Sequence, residues 1–181
     1  MTIWKIDPSH SEINFKVKHL VVSSVRGNFD DFKATIEAEK EDFSDAKIEF
    51  EADTNSINTR NNDRDAHLKS ADFFDAQKYE KISFVSTSAE KVSDYELKVK
   101  GNLTIRDITK EITLDVIYNG IVEGMDGNEV AGFEISTRLN RFDYGLKWNV
   151  LTEAGGVVVG NEVKIEILAE FNAAKETVKA A

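Results

Sequence analysis

The sequence predicts an all-β domain of antiparallel strands, and three features of it carry the expectation. Apolar and polar residues alternate with period two in run after run, the mark of strands with one buried and one wet face. Turn-forming residues separate the runs at short intervals, so neighbours in sequence pair as neighbours in the sheet. Only one stretch, near residues 62–75, reads as helical. About eight such strands bury their apolar faces by curling into a barrel or stacking as a sandwich, and closure also removes the exposed edges.

The first clear strand places Ile13, Phe15, Val17 and His19 on one face and Asn14, Lys16 and Lys18 on the other. Phe32, Ala34, Ile36 and Ala38 follow, then Ile48, Phe50 and Ala52. Beyond the helical stretch come Ile82 and Phe84, and then Leu97, Val99, Gly101, Leu103 and Ile105. Ile112, Leu114, Val116 and Tyr118 continue the series, followed by Ala131, Phe133, Ile135, Thr137 and Leu139, and last by Val163, Ile165, Ile167 and Ala169. One wet face per strand argues for antiparallel pairing, because parallel strands read as unbroken apolar runs. "VSDY" at 92–95, "IRDITK" at 105–110 and "GMDGNE" at 124–129 supply the reversals.

"RDAHLKSADFF", Arg64 to Phe74, holds cap candidates and good helix formers, and its Ser70 can start a second turn. Two short consecutive helical turns are expected. Asp63, Asp65 and Asp72 are explained as caps, first-turn dipole partners and salt-bridge partners for Arg64 and Lys69. Leu68, Phe73 and Phe74 then point toward the apolar interior or its mouth. The domain is expected to span 1–171, with 172–181 as a frayed or briefly helical tail.

Composition removes several classes of function. The 181 residues fit one domain, and the absence of cysteine excludes disulfides, thiolate metal sites and cysteine nucleophiles together. A formal charge of −10 argues against nucleic acid, which calls for a basic face. It also opposes adsorption to anionic lipid, although a local patch suffices for transient membrane contact. The opening "MTIWKIDPSHS" lacks the basic and apolar segments of a secretory signal, so a cytoplasmic protein is expected.

Chemistry is hard to find. The three histidines, His10, His19 and His67, form no close metal-binding pair, and no metal is expected. Within one uninterrupted strand His10 and His19 would face opposite ways. His19 shares a face with Phe15 and Val17, which suits a histidine satisfied by backbone or water ahead of a catalytic group, and a polar contact at a cavity mouth fits either. There is no nucleophile elbow or P-loop, and "GGVVVG" at 155–160 leads into a strand and not a helix. The inward face mixes bulky phenylalanines with Ala34, Ala38, Ala52, Gly101, Ala131 and Ala169. That mixture fits a filled, tapering barrel and a hollow one equally well.

Several segments in order, "WKIDPSHSEINFKVKH", "VRGNF", "NTRNNDRDAHLKSADFFDAQKY", "VKGNLTIRDITKEITL", "LNRFDYG" and "VGNEVKIEI", resemble the YceI-like, polyisoprenoid-binding-protein-like family over Trp4 to about Phe171. The resemblance implies an extended antiparallel barrel of lipocalin-like shape that holds a long isoprenoid or other lipidic chain and performs no catalysis. It also implies a homodimer. The expected ligand is a polyisoprenoid, an isoprenoid quinone or a fatty-acid-like lipid, with no other cofactor. Many relatives are periplasmic. Glu80 and Asp107 stand where the family often has proline and glycine, which bears on loop shape more than on a cavity.

On that reading, position assigns Phe15, Val17, Phe32, Ile36, Phe50, Phe84, Phe133 and Ile165 to the lipid tail. Phe73, Phe74, Tyr144 and Trp148 fall to a rim or plug, and His19, Arg64 and His67 to the mouth. The alternatives are a protein-interaction or stress-related barrel with a filled interior and, behind it, a lipid-modifying enzyme.

Overall fold

The fold is described from a computed structural model covering residues 1–174. β1 (Thr2–Ile6) and β2 (Glu12–His19) form one bent stave, broken by a 3-10 turn at Pro8–His10. β3 (Ser23–Phe29) and β4 (Phe32–Ala38) form a second, and β5 (Lys47–Asp53) and β6 (Ile57–Asn58) a third, broken at Thr54–Ser56. The helix α1 (Asn62–Lys69) follows. β7 (Lys81–Ser93), β8 (Glu96–Ile105), β9 (Ile108–Glu123), β10 (Glu129–Asn140) and β11 (Val159–Ala173) are unbroken. Three broken pairs and five whole strands make eight staves, each antiparallel to the next.

β11 closes the barrel. One edge pairs with β10 from Val130↔Asn172 to Asn140↔Glu162. The other edge pairs with both parts of the first stave: Ile165 lies opposite Phe15 in β2, and Phe171 opposite Ile6 in β1. The gap between these parts is where Pro8 has no N–H to give a ladder. Asp7 caps the break by accepting from the Ser9 N–H at 2.9 Å, and the Ser11 hydroxyl accepts from the Glu170 N–H at 2.9 Å, so no polar group is abandoned there. His10 lies exposed in this break; hydrogen bonding to Asp7 raises its pKa, with Glu170 adding to the effect.

The expected all-β antiparallel barrel with one helix is therefore found, with three differences. β1 and β3 were hidden because "TIWKI" buries only Trp4 and "SSVRGNF" carries little apolar alternation. The second helical turn after Ser70 does not form: Ser70 donates its hydroxyl to the His67 carbonyl at 2.6 Å, ending α1, and its own carbonyl receives the Phe73 and Asp75 N–H groups in tight turns. β11 runs through Asn172 and Ala173, past the expected boundary, and the rest of the expected tail, 175–181, lies outside the described residues.

Two glycines let aromatic rings lie flat on the inner wall. Gly27 faces Phe15 across the β2–β3 ladder, and a Cβ there would enter the Phe15 ring and stand 2.9 Å from the Thr59 methyl. At Gly101 it would enter the Phe84 ring and stand 2.6 Å from the Val85 carbonyl oxygen, which backbone pairing holds in place. Gly101→Ala should therefore lower the unfolding free energy by about 1–3 kcal/mol, the range for overpacking. An unchanged urea midpoint would show that Phe84 turns aside without strain.

Candidate functional site

The inward faces enclose a cavity of about 580 Å³, within the range of small-molecule sites. Its wall is almost wholly apolar and draws on every stave, from Phe15, Ile36 and Phe50 to Val99, Leu114, Phe133 and Ile165. The side chains alternate large and small and do not meet in the middle. This decides the question that composition left open: the interior is hollow.

The two ends differ. At one, Phe43 in the loop between β4 and β5 is buried against Trp4, Tyr118 and Phe133 at ring separations of 5.4, 5.3 and 5.0 Å. Its backbone takes a φ of +56°, and the loop is held by Asp45, whose carboxylate accepts from the Glu39 and Lys40 N–H groups at 3.0 and 3.3 Å. The Tyr118 hydroxyl donates to the Glu41 carbonyl at 2.9 Å, and burial raises the Tyr118 pKa. Phe43 is thus a plug.

At the other end stand α1, the 3-10 turn Arg141–Tyr144, the segment 145–158 and the β2–β3 tip. Lys18, His19, Asp63, Arg64, His67 and Arg141 enter the cavity lining here, so the charged residues gather at this mouth, although their polar atoms contribute almost nothing to the cavity wall. Asn61 caps α1 by accepting from the Arg64 N–H at 2.9 Å. The Arg64 guanidinium donates to the hydroxyl and carbonyl of Thr59, both at 2.8 Å, while Asp65 accepts from the Thr59 N–H at 2.9 Å and from its hydroxyl at 2.5 Å. The expected carboxylate partner of Arg64 is replaced by Thr59. Asp63 and Asp65 do sit in the first turn, as helix polarity favours, but Asp72 pairs with His67 Nε2 at 2.8 Å.

His67 also joins the two sides of the mouth. Its ring stands perpendicular to Trp148 at 4.6 Å and to Phe73 at 5.1 Å, and Phe73 meets Trp148 at 5.4 Å. Phe74 packs edge-on against Phe29 at 6.0 Å. Of the residues assigned from sequence, Phe15, Val17, His19, Ile36, Phe50, Arg64, His67, Phe73, Phe74, Phe84, Phe133, Tyr144, Trp148 and Ile165 all line the cavity. Phe32 does not; it is buried in the wall at the start of β4, where the second stave bends.

Sequence reasoning missed Phe43, which sits outside any periodic run, and Arg141. Arg141 is 5% exposed and makes no ion pair among the described residues. Its guanidinium donates instead to four carbonyls: Gly160 at 2.8 Å, Leu146 at 2.6 Å, Trp148 at 2.8 Å and Val159 at 3.2 Å. One side chain thereby stitches the first arm of the segment 145–158 to the start of β11. Burial lowers its pKa, yet a guanidinium keeps its charge. The signal was the arginine inside "LNRFDYG", a cation amid apolar and aromatic residues.

Among the described residues His67 lines the cavity, while its carboxylate partner Asp72 lies outside the lining. Asp7, His10 and Glu170 bring ligand-type atoms within 4.8 Å of one another, but they bond to each other at the stave break and take no part in the lining.

Arg141→Met leaves four carbonyls without their donor and should cost about 3 kcal/mol, with faster amide exchange across 146–159. Unchanged exchange there would mean the segment is held by other contacts. The Tyr144 hydroxyl is buried with no hydrogen-bond partner among the described residues, and burial pushes its pKa up to about 12. The native state therefore keeps this proton while the unfolded chain loses it near pH 10, so stability falls between about pH 10 and 12. Tyr144→Phe should flatten that alkaline loss and raise the neutral-pH melting temperature; a parallel loss in both proteins would contradict the assignment.

The YceI-like domain family model matches residues 4–171. The UPF0312 protein SAS2572 of Staphylococcus aureus is 44% identical over 173 residues, spanning 95% of this chain and 98% of that protein. The Campylobacter jejuni YCEI protein, known from a crystal structure, superposes with a TM-score of 0.75 at 32% identity, covering 87% of this chain and 90% of that one. A polyisoprenoid binding domain from Saccharophagus degradans, implicated in plant cell wall breakdown, has a TM-score of 0.69 over 94% of this chain and 98% of its own, and its 14% identity makes it a likeness of fold. The family match takes in part or all of every stave and both ends of the cavity, and on that ground the chain belongs to the YceI-like family.

Proposed function

We propose that the barrel binds a long-chain isoprenoid or similar lipid, with the tail in the cavity and the polar head at the mouth, and carries or stores it in exchange with membranes. The observation that supports this most is the cavity itself: about 580 Å³, apolar along its length, plugged by Phe43 at one end and ringed by charged residues at the other. A ligand suited to it is long, greasy and polar at one end only. The fold-level likeness to a domain described as polyisoprenoid-binding agrees with that class of ligand.

Energetics favours exchange with a bilayer over capture from water. A buried methylene is worth about 0.8 kcal/mol, so a chain of roughly forty carbons taken from water would nominally release about 30 kcal/mol. That exceeds the practical limit of about 20 kcal/mol for non-covalent binding. Lipid tails in a bilayer are already in apolar surroundings, so transfer into the barrel is close to neutral and reversible. The wall asks nothing of the ligand but shape, and the reading includes no catalytic step.

Organic extraction of the purified protein followed by mass spectrometry tests the proposal. The expected result is a long-chain lipid near one equivalent. Ile165→Trp, which puts an indole into the cavity from the middle of β11, should cut that yield at least fivefold while leaving the melting temperature within a few degrees. Protein that carries no lipid and takes none from added vesicles would contradict the reading and favour an interaction module; turnover of the bound lipid would favour an enzyme.

A further inference from the structure

Two hairpin tips flank the mouth, and both are greasy where solvent should favour polar residues. The β2–β3 tip is Leu20, Val21 and Val22, with Val21 72% and Val22 86% exposed. The second tip is a small hairpin in the segment 145–158, closed by the Leu151↔Val157 bridge, with Val150, Leu151 and Val157 outward and Leu151 69% exposed. The tips are fastened together: the Leu20 N–H donates to the Val158 carbonyl at 2.9 Å, and His19 pairs with Val159. Their apolar side chains form one rim.

The backbone is built to hold that rim outward. Leu20 and Val21 adopt φ of +50° and +64°, a conformation that a β-branched residue resists and that Gly or Asn would take freely. In the second tip, the Val158 N–H donates to the Val150 carbonyl at 3.0 Å and the Thr152 N–H to the Gly156 carbonyl at 2.7 Å, which pairs part of its backbone from within and lowers the cost of entering an apolar phase.

The arm from Ile13 to Gly27 carries Lys16, Lys18 and Arg26 and no carboxylate in a protein at −10, with Lys18 nearest its apolar tip; the second tip carries Glu153, and Glu166 of β11 lies near Lys16 and Arg26. Cations beside an apolar tip favour the interface of a bilayer that contains anionic lipid. The rim is also continuous with the cavity: Lys18, His19, Val158 and Val159 belong to its lining. Six partly exposed aliphatic side chains on two convex tips fall short of the roughly 800 Å² per partner that a stable dimer buries.

We infer that the paired tips, Leu20–Val22 and Val150–Val157, are a membrane-docking surface that seats the mouth on an anionic bilayer. The inference rests on the lipid-carrier reading and adds where transfer occurs: the tail passes between barrel and bilayer without crossing water.

Flotation of the full chain with vesicles of phosphatidylcholine and phosphatidylglycerol at 4:1 tests it. The wild type should float, and Val21→Glu, Val22→Glu and Leu151→Glu together should reduce the floating fraction at least fivefold. Extracted lipid and melting temperature should be those of the wild type, while Met125→Glu, on a tip at the plugged end, should float normally. If the triple variant fails to fold, Val21→Ser with Val22→Ser replaces it and should still reduce flotation. Wild type that stays at the bottom, variants that float equally, or tips that prove to join two copies in size-exclusion chromatography would each overturn the docking surface. A protein that floats but carries no lipid would leave the docking surface standing and remove the carrier reading instead.

Discussion

Closing the sheet through β11 is the constraint on which the rest of the molecule depends. Eight staves present eight apolar inner faces, none is covered by a helix layer, and this molecule removes them from water by joining the last strand to the first. β11 does so by pairing with β1 near its end and β2 along its middle, bridging the break that Pro8 forces. An eight-stranded ring is just wide enough for its side chains to fill it or for one guest to occupy it. With alanine at 34, 52 and 169 on the lining and Gly101 letting Phe84 lie along the wall, this ring keeps space at its centre.

The asymmetry of the ends follows from what covers each. Phe43 closes one end with a close-packed aromatic cluster that has little freedom to move. The other end is covered by α1 and the segment 145–158, which touch through His67 and Trp148 and are fastened by hydrogen bonds more than by packing. Arg141 is the main fastener, and it is a costly one, since a buried cation without a carboxylate has to be solvated wholly by carbonyls. That expense is consistent with a segment whose position at the mouth matters more than the stability of the fold.

Much of this was legible in the sequence, for a physical reason. Period two marks which side chains face inward, and in a closed barrel the inward face is also the cavity wall, so Phe15, Phe50, Phe84, Phe133 and Ile165 were found by alternation alone. Phe32 shows the limit: alternation places a residue on a face, not at a height along the stave. Phe43 and Arg141 act from irregular segments, where position is set by hydrogen bonds that no periodicity encodes. β3 was hidden because its Gly27 exists to accommodate Phe15 on another strand. The Arg64–Thr59 bonding was beyond reach for the same reason, because the nearest carboxylates in sequence looked like better partners.

The central claim is that the barrel is hollow and that the hollow holds a guest. The most direct measurement is a crystal structure of the protein purified without removing its lipids. The account predicts an unbroken tube of density along the axis from Phe43 to the His67–Trp148 contact. A barrel whose own side chains have turned inward and filled that axis would contradict it.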